Sequence, residues 1–294
     1  MSLRSISSFC CLLGFLLASC QATNSTAVPK EETTISPTVT PQPTLTPSKT
    51  VTPKITTTII PTQEEISVVT ASPQITVEQE IMIGEHVEVE GTDGLKLAGT
   101  LYTPGDSPSP WPVVILLHMM WGDRSSWEGF AIQLSDAGFS VFAVDMRGHG
   151  DTGGEVDWDL AGNDLQQVWN SLGARPEIDE DRMAVLGASI GANLALVTGA
   201  DNSNVRTIVL LSPGLNYAGV ETRDPLLTYG ERPVLIVASQ EDTYAADSSG
   251  RLEEIALGET RLVMYQGAGH GLHMFEREPE LADLIINWLG DYLQ

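Results

Sequence analysis

The sequence predicts an α/β protein, with a mostly parallel sheet of about eight strands and helices on both of its faces. Six short, nearly continuous apolar segments are typical of strands that are buried on both faces of a sheet. Segments of helical length separate them, and this alternation favours a parallel sheet because helical crossovers join parallel neighbours. Ligands of such folds bind at the carboxyl ends of the strands.

The predicted elements follow one another from about residue 85. "EHVEVEG" and "LKLAGTLYTP" alternate apolar and polar residues around "TDG", which predicts an antiparallel hairpin. The buried strand segments are "WPVVILLH", "FSVFAVD", "RMAVLGA", "VRTIVLLS", "RPVLIVAS" and "TRLVMYQ". Helices are expected over residues 125–137, 158–172, 190–200 and 245–257, and the final stretch "PELADLIINWLGDYL" carries an apolar helical stripe. Only about twenty residues separate the segments ending at Ser212 and starting at Arg232, so no large lid domain is expected.

The first twenty residues predict a lipoprotein signal. A lone Arg4 precedes an apolar run that ends at Leu17, which is too short for a comfortable membrane span and typical of a secretory signal. The ending "LASC" resembles the lipobox of bacterial lipoproteins, in which the cysteine is lipidated and becomes the mature N-terminus. Cys20 is therefore expected to anchor the protein outside the bacterial cell membrane or envelope. The alternative is an ordinary signal with an incidental cysteine.

Composition divides the chain into a signal at residues 1–19, a tether at 20–80 and a folded domain at 81–294. The tether is rich in Thr, Pro and Ser and repeats "TVTP", "TLTP" and "TVTP" at six-residue intervals. Such a segment buries too little apolar surface to offset its chain entropy, so disorder is predicted. All three cysteines precede the folded domain, which excludes a disulfide, a thiolate metal site and a cysteine nucleophile there.

The charge and the missing motifs exclude several classes of function. Fifteen basic and 39 acidic residues give a net charge of −24, and such a surface repels nucleic acids and disfavours anionic substrates. The sequence contains no H-E-x-x-H, calcium-loop, Walker or dinucleotide-binding motif. Neither a metal nor an organic cofactor is predicted, and no obligate protein partner is implied.

Ser189 is the candidate nucleophile. It lies in "GASIG", after an apolar strand segment and before a helical pattern that begins at Ile190. A G-x-S-x-G between strand and helix is the context of a nucleophile elbow, in which the glycines avoid collisions. The helix start would also direct the N–H of Ile190 at a developing oxyanion. The alternative is a small residue at a close packing contact.

A serine nucleophile needs a base and an acid that orients the base. His270 lies in "GAGHG" directly after a strand segment, whereas His273 is expected to cap or pack at the next helical stretch. Asp242 is predicted to be the acid, because its short side chain orients a histidine with little loss of rotamer freedom. Glu241 is the alternative, and either carboxylate would suit an N-cap.

The loop "HMMWGDRSSW" is expected to supply the second oxyanion donor. The backbone N–H groups of Met119 and Met120 are both candidates. Trp121, Gly122 and Trp127 are interpreted as a pocket wall or as packed residues, and packing is the preferred interpretation for Trp127.

Five ordered motifs, "LLHMMWGDRSSW", "DMRGHGDTGG", "GASIG", "ASQEDTY" and "GAGHG", resemble the α/β-hydrolase superfamily, and most closely dienelactone-hydrolase-type serine esterases. The resemblance implies the α/β-hydrolase fold, ester substrates, an acyl-enzyme, and a triad of Ser189, Asp242 and His270. The chain departs from the family at Met119, where a glycine is usual. Dienelactone hydrolases have a cysteine nucleophile where this chain has Ser189, so their substrate is not implied.

Further residues and functions are interpreted through the same resemblance. Asp145, Arg147 and His149 match a family motif whose role is mainly structural. A peptidase or an acyltransferase would use the same triad, and a surface-binding lipoprotein without catalysis is the alternative from a different class.

Overall fold

The computed structural model describes residues 84–105 and 107–294, so the predicted signal, Cys20 and the tether lie outside the described residues. Eight strands form one sheet in the order β1-β2-β4-β3-β5-β6-β9-β10, and two further strands form a small second sheet. The strands are β1 (Glu85–Glu90), β2 (Lys96–Tyr102), β3 (Trp111–Leu117), β4 (Ser140–Val144), β5 (Ile178–Ala188), β6 (Val205–Leu211), β7 (Asn216–Tyr217), β8 (Val220–Glu221), β9 (Val234–Ser239) and β10 (Thr260–Tyr265).

Seven helices accompany the strands in the described part of the chain. They are α1 (Glu128–Asp136), α2 (Trp158–Gly173), α3 (Ile190–Asp201), α4 (Arg223–Tyr229), α5 (Thr243–Ile255), α6 (Met274–Arg277) and α7 (Leu281–Leu293). Helices α1, α6 and α7 pack on one face of the sheet, and α2, α3, α4 and α5 pack on the other. Within the same residues, no helix is long and apolar enough to cross a membrane.

The two faces of the sheet form two apolar cores. Along β3, Val113 and Ile115 pack on the α2–α3 side, whereas Val114 and Leu116 pack on the α1–α7 side. Successive side chains of a strand point to opposite faces, so a strand between two helical layers is apolar throughout. This explains the continuous apolar segments of the sequence.

The predicted fold class is confirmed, and so is the opening hairpin. Strands β1, β2 and β4 pair antiparallel, and every other neighbouring pair of the main sheet is parallel. Strand β5 begins at Ile178, earlier than the apolar pattern predicted, because the polar residues after Ile178 lie beyond the region that the helices cover. The segment between β6 and β9 forms the β7–β8 hairpin and the short helix α4, and no large lid is present among the described residues.

The carboxyl ends of the parallel strands lie in register. Leu117 pairs with Gly187, Ala188 with Leu211, and Leu211 with Val237. The residues that follow β3, β5, β6 and β9 therefore meet along one edge of the sheet. This edge holds the candidate site.

Candidate active site

Ser189 lies on a tight turn between β5 and α3. Its backbone has φ 56° and ψ −121°, a sparsely populated conformation that costs about 1–3 kcal/mol and persists only where packing enforces it. A Cβ on Gly187 would collide with the backbone of Gly191, and a Cβ on Gly191 would collide with carbonyl oxygens at the end of β3. The turn therefore requires both glycines, which is the arrangement of a nucleophile elbow.

His270 and Asp242 form a hydrogen-bonded pair beyond the ends of β10 and β9. The two atoms that make the bond, His270 Nδ1 and Asp242 Oδ2, are 2.5 Å apart. Asp242 precedes helix α5 but makes no capping hydrogen bond with its side chain. Glu241 instead accepts a hydrogen bond from Ser239 Oγ at 2.7 Å, and this bond lowers the pKa of Glu241. The structure thus brings Asp242, and not Glu241, to His270.

The loop that carries His270 packs against the nucleophile elbow. A Cβ on Gly271 would meet the Cβ of Ala188 at 3.4 Å, so the residues adjacent to His270 and Ser189 lie in contact. Within residues 107–294, Ser189 Oγ and His270 Nε2 have no hydrogen-bond partner and do not bond to each other. Hydrogen bonds between catalytic groups are commonly long before substrate binds. Ser189, His270 and Asp242 share one edge, and their joint catalytic role stays a prediction.

Two serines that the sequence reasoning missed hold the backbone of the His270 loop. Ser212 Oγ accepts from the N–H of Gly271 at 2.9 Å, and Ser239 Oγ accepts from the N–H of Ala268 at 3.0 Å. Both serines are fully buried, and Ser212 has a left-handed φ of 52°. The available signal was the polar residue that ends the apolar segments "VRTIVLLS" and "RPVLIVAS".

A hydrogen-bonded turn after β3 fixes the second part of the predicted oxyanion site. The carbonyl oxygen of Met119 accepts from His118 Nδ1 at 2.7 Å and from the N–H of Gly122 at 3.0 Å. His118 Nε2 accepts from the N–H of Met146 at 3.0 Å, which places the ring proton on Nδ1. Burial lowers the pKa of His118 and so keeps the ring neutral. Met120 N–H donates to no residue in the described part of the chain.

Two expectations for residues near the site are wrong, and one is confirmed. Trp121 does not pack, because the turn gives it φ 68° and leaves 90% of its surface exposed. His273 precedes helix α6 but makes no capping hydrogen bond and is exposed, because the next residue, Met274, takes the buried position. Trp127 is fully buried, as expected for a packed residue.

The β7–β8 hairpin borders the other side of His270. The ring of Tyr217 stands edge-on to the His270 ring, with centroids 6.3 Å apart, and Tyr244 stands edge-on to Tyr217. Burial, and next the charge of Asp242, raise the pKa of Tyr217, so its hydroxyl stays protonated. It donates to the carbonyl oxygen of Ser212 at 3.4 Å.

Arg147 forms a buried ion cluster away from the site. It makes two hydrogen bonds to Asp164, at 2.8 and 2.9 Å, and two to Asp93, both at 2.9 Å. Its guanidinium lowers the pKa of Asp93 from 3.8 to about 2. The nearby His149 ring packs between those of His118 and Trp158. These contacts support the structural role that the family resemblance implies for Arg147 and His149.

Asp145 belongs to a second ion network, around Arg124. Asp145 pairs with Arg124, which also bonds to Asp151 at 2.7 Å. A cavity of about 430 Å³ lies at this network and contains none of the candidate catalytic residues. In the described ranges, no three His, Cys, Asp or Glu side chains are grouped so that they could hold a metal ion.

Comparisons with known proteins support the fold class. Residues 108–228 match the family described as serine aminopeptidase, S33. An uncharacterized protein of Mycobacterium tuberculosis is 29% identical over 232 residues, which cover 73% of this chain and 80% of the relative.

Solved structures share the fold. A dienelactone hydrolase from Anabaena variabilis superposes with a TM-score of 0.59 at 22% identity, covering 72% of this chain and 99% of that one. A Pyrococcus furiosus esterase gives a TM-score of 0.60 at 19% identity, covering 72% and 91%.

Proposed function

We propose that this chain, which has the α/β-hydrolase fold, is a serine hydrolase acting on carboxylic esters through Ser189, His270 and Asp242. The observation that carries this proposal is the Asp242–His270 pair at the sheet edge where the strained Ser189 turn lies. A strained serine next to a histidine that a carboxylate orients is the arrangement that acyl transfer requires. The uncharged ester is preferred because the protein is strongly acidic.

The proposed reaction has two halves. His270 Nε2 takes the proton of Ser189 Oγ as this oxygen attacks the ester carbonyl carbon, and then gives that proton to the departing alkoxide. The products of this half are the alcohol and an acyl-enzyme on Ser189. A water molecule, deprotonated by His270, attacks the acyl carbonyl, and the returning proton restores the serine hydroxyl as the acid departs. Asp242 holds the ring so that Nε2 faces the serine.

Backbone N–H groups of Ile190 and Met120 are the proposed oxyanion donors. The N–H of Ile190 belongs to the first residue of α3, so it has no partner within the helix. In a trans peptide the C=O and N–H point in opposite directions. Because His118 and Gly122 engage the carbonyl of Met119, the N–H of Met120 in the same peptide unit points away from them. This favours Met120 over Met119.

Labelling with a fluorophosphonate tests the nucleophile directly. The purified protein should be labelled at Ser189 and lose ester hydrolysis in proportion, whereas Ser189→Ala should take no label. A folded protein that is neither labelled nor active on esters would overturn the proposal and favour a non-catalytic binding protein. Thermal unfolding of both proteins shows that they are folded.

A peptidase is the second candidate, because the matching family is described as a serine aminopeptidase. The same triad cleaves amides when His270 protonates the departing amine. Paired substrates with one acyl group, a p-nitrophenyl ester and a p-nitroanilide of the same amino acid, separate the two functions. A kcat/KM for the anilide equal to that for the ester would favour the peptidase.

We further propose that Cys20 carries lipid and holds the enzyme outside the bacterial membrane or envelope. The support is the sequence "LASC" after a signal-like apolar run. Radiolabelled fatty acid should enter the full-length protein and be lost from Cys20→Ala. Equal acylation and membrane association of Cys20→Ala would contradict this proposal.

A further inference from the structure

An apolar cavity lies beside the oxyanion turn, on the α1–α7 side of the sheet. It has a volume of about 390 Å³, which is within the range of about 300–1,000 Å³ typical of small-molecule sites. Its walls include Trp127, Phe130 and Phe275. The rings of Phe130 and Phe275 lie 4.7 Å apart, and Trp127 stands edge-on to Phe275 at 6.3 Å. We refer to it as the Trp127 cavity.

The Trp127 cavity shares residues with both loops of the proposed catalytic site. Met119, at the start of the oxyanion turn, lines the cavity, and its side chain also contacts Gly271, next to His270. Leu272 lines the cavity from the His270 loop. A methionine wall adapts to different ligand shapes because its side chain is unbranched and flexible.

The residues that line the Trp127 cavity indicate which kind of ligand it binds. The lining is mostly aromatic and aliphatic, with Ser126, Gln133 and His273 as uncharged or weakly basic polar members, and the carboxylate of Glu276 disfavours a negatively charged ligand. In the proposed reaction the alcohol leaves next to His270, on whose far side Tyr217 stands. The cavity touches the His270 loop through Leu272, but through Met119 it borders the turn that would hold the carbonyl oxygen, which is the side of the acyl group.

We infer that the Trp127 cavity is the acyl-binding site and takes an uncharged, apolar acyl group of about four to six carbons. This inference rests on the proposed ester hydrolysis, and it adds the class of acyl group that the enzyme selects. A buried methylene raises kcat/KM about fourfold, so a butanoyl ester should exceed an acetyl ester roughly 15-fold. A succinyl half-ester, which has a carboxylate at the chain end, should be a poor substrate.

Filling the cavity from helix α1 tests the inference. Gly129 and Gln133 both line the cavity and lie one turn apart on the same helix face. A Cβ on Gly129 meets nothing within 4 Å, so Gly129→Leu should fold. Gly129→Leu and Gln133→Phe should each reduce the butanoyl-to-acetyl ratio of kcat/KM to about twofold, because added side chains occupy the space of the longer acyl group.

Gly162→Leu is the matched control. Gly162 lies inside helix α2 on the opposite face of the sheet, and a Cβ there also meets nothing within 4 Å. The same glycine-to-leucine change should leave the butanoyl-to-acetyl ratio at the wild-type value. A ratio is used because it does not depend on the fraction of protein that is folded.

Phe275→Ala supplies a change in the opposite direction. Removing this ring widens the cavity, so the preferred acyl chain should lengthen and the hexanoyl-to-butanoyl ratio should rise above that of the wild type. The inference is overturned if Ser189 is labelled and acetyl esters are hydrolysed but no variant changes the acyl preference. It is also overturned if the filled variants change only the preference among acetate esters of different alcohols. An unlabelled, inactive wild-type protein would instead show that the proposed function itself is wrong.

Discussion

Two pairs of a carboxylate and a basic side chain differ in which donor and acceptor atoms their hydrogen bonds leave unoccupied. In the Arg147 cluster, Asp164 and Arg147 are both buried. Asp164 accepts two hydrogen bonds from Arg147 and a third from the N–H of Thr92 at 2.9 Å. In the second pair, His270 and Asp242 retain 36% and 18% of their side-chain surface exposed. A single bond joins them, and His270 Nε2 has no partner in the described chain.

This difference predicts that one pair contributes to stability and the other to the reaction. The Arg147 guanidinium donates four hydrogen bonds to two carboxylates, and the loss of such an ion cluster should appear in stability. A histidine whose Nδ1 is fixed by a carboxylate and whose Nε2 is open can exchange protons with a ligand, and its loss should appear in turnover. The Arg147 cluster joins the opening hairpin to helix α2, whereas the Asp242–His270 pair lies at the ends of β9 and β10.

The largest expected effect is on turnover at His270. His270→Ala should lower kcat for an acetyl ester by about four to six orders of magnitude, because no base activates Ser189. His273→Ala, at the other downstream histidine, should change kcat for the acetyl ester by less than about threefold. His273 lines the Trp127 cavity, which a two-carbon acyl group does not fill, and it has no part in the proposed proton transfers. The hydrolysis rates of the acetyl ester, measured on variants whose unfolding curves match that of the wild type, check both predictions. Equal losses in the two variants would contradict the assignment of the base.

Substitution of Asp242, the proposed acid, should have the second-largest effect on kcat. Asp242→Asn should lower kcat about 10⁴-fold, because an amide at this position favours the wrong tautomer of His270. Glu241→Gln removes a carboxylate one residue away whose partner is Ser239, so kcat should stay near the wild-type value. The steady-state kinetics of the two variants decide the assignment. A greater loss of kcat in Glu241→Gln than in Asp242→Asn would assign the role of the acid to Glu241.

The Arg147 cluster should respond in stability instead. Asp164→Asn should lower the free energy of unfolding by about 3 kcal/mol, because it removes one charge of a buried pair. Asp93→Asn removes a half-exposed partner of the same arginine, so its loss should be smaller. Urea unfolding measures both, and kcat of the folded fraction should be unchanged. A large fall in kcat for Asp164→Asn would remove the contrast between the two pairs.

The serine that holds the His270 loop should give a moderate effect on kcat. Ser212→Ala removes the acceptor of the Gly271 N–H. Without this buried hydrogen bond the His270 loop should shift, and kcat should fall about tenfold. KM should change little, because the hydroxyl contacts the backbone of the His270 loop and not the substrate. A change in stability alone, with kcat intact, would show that the bond does not position His270.

The smallest effect concerns acid stability. The pKa of Asp93 is lowered in the folded protein from 3.8 to about 2, chiefly by hydrogen bonds from Arg147. A lowered folded-state pKa contributes stability that is complete above the unfolded value and is lost as the pH falls through the folded value. The contribution of Asp93 should therefore disappear between pH 3.8 and about 2. The urea midpoint of Asp93→Asn should show a weaker pH dependence across that interval than the wild type, and an identical dependence would contradict this origin.

The sequence by itself determined the elements and the order of the motifs. Apolar periodicity, the glycines around Ser189 and the strand-to-helix transitions are local properties, and a few neighbouring residues decide each of them. The candidate roles of Ser189, Asp242 and His270 also followed from order, since each residue comes after a different buried strand. The sequence left alternatives open within two loops. The acid was either Glu241 or Asp242, and the second oxyanion donor was either Met119 or Met120.

Tertiary structure decided the contacts between residues that are distant in the chain. Which carboxylate faces His270 depends on the parallel register of β9 and β10, which aligns Tyr265 with Ser239. Ser212 reaches the Gly271 N–H across 59 positions only because β6, β9 and β10 follow one another in the sheet. The Trp127 cavity and the pairing of Arg147 with Asp164 likewise arise where separate elements pack together. Periodicity shows which side chains are buried, but strand order and register determine which of them meet.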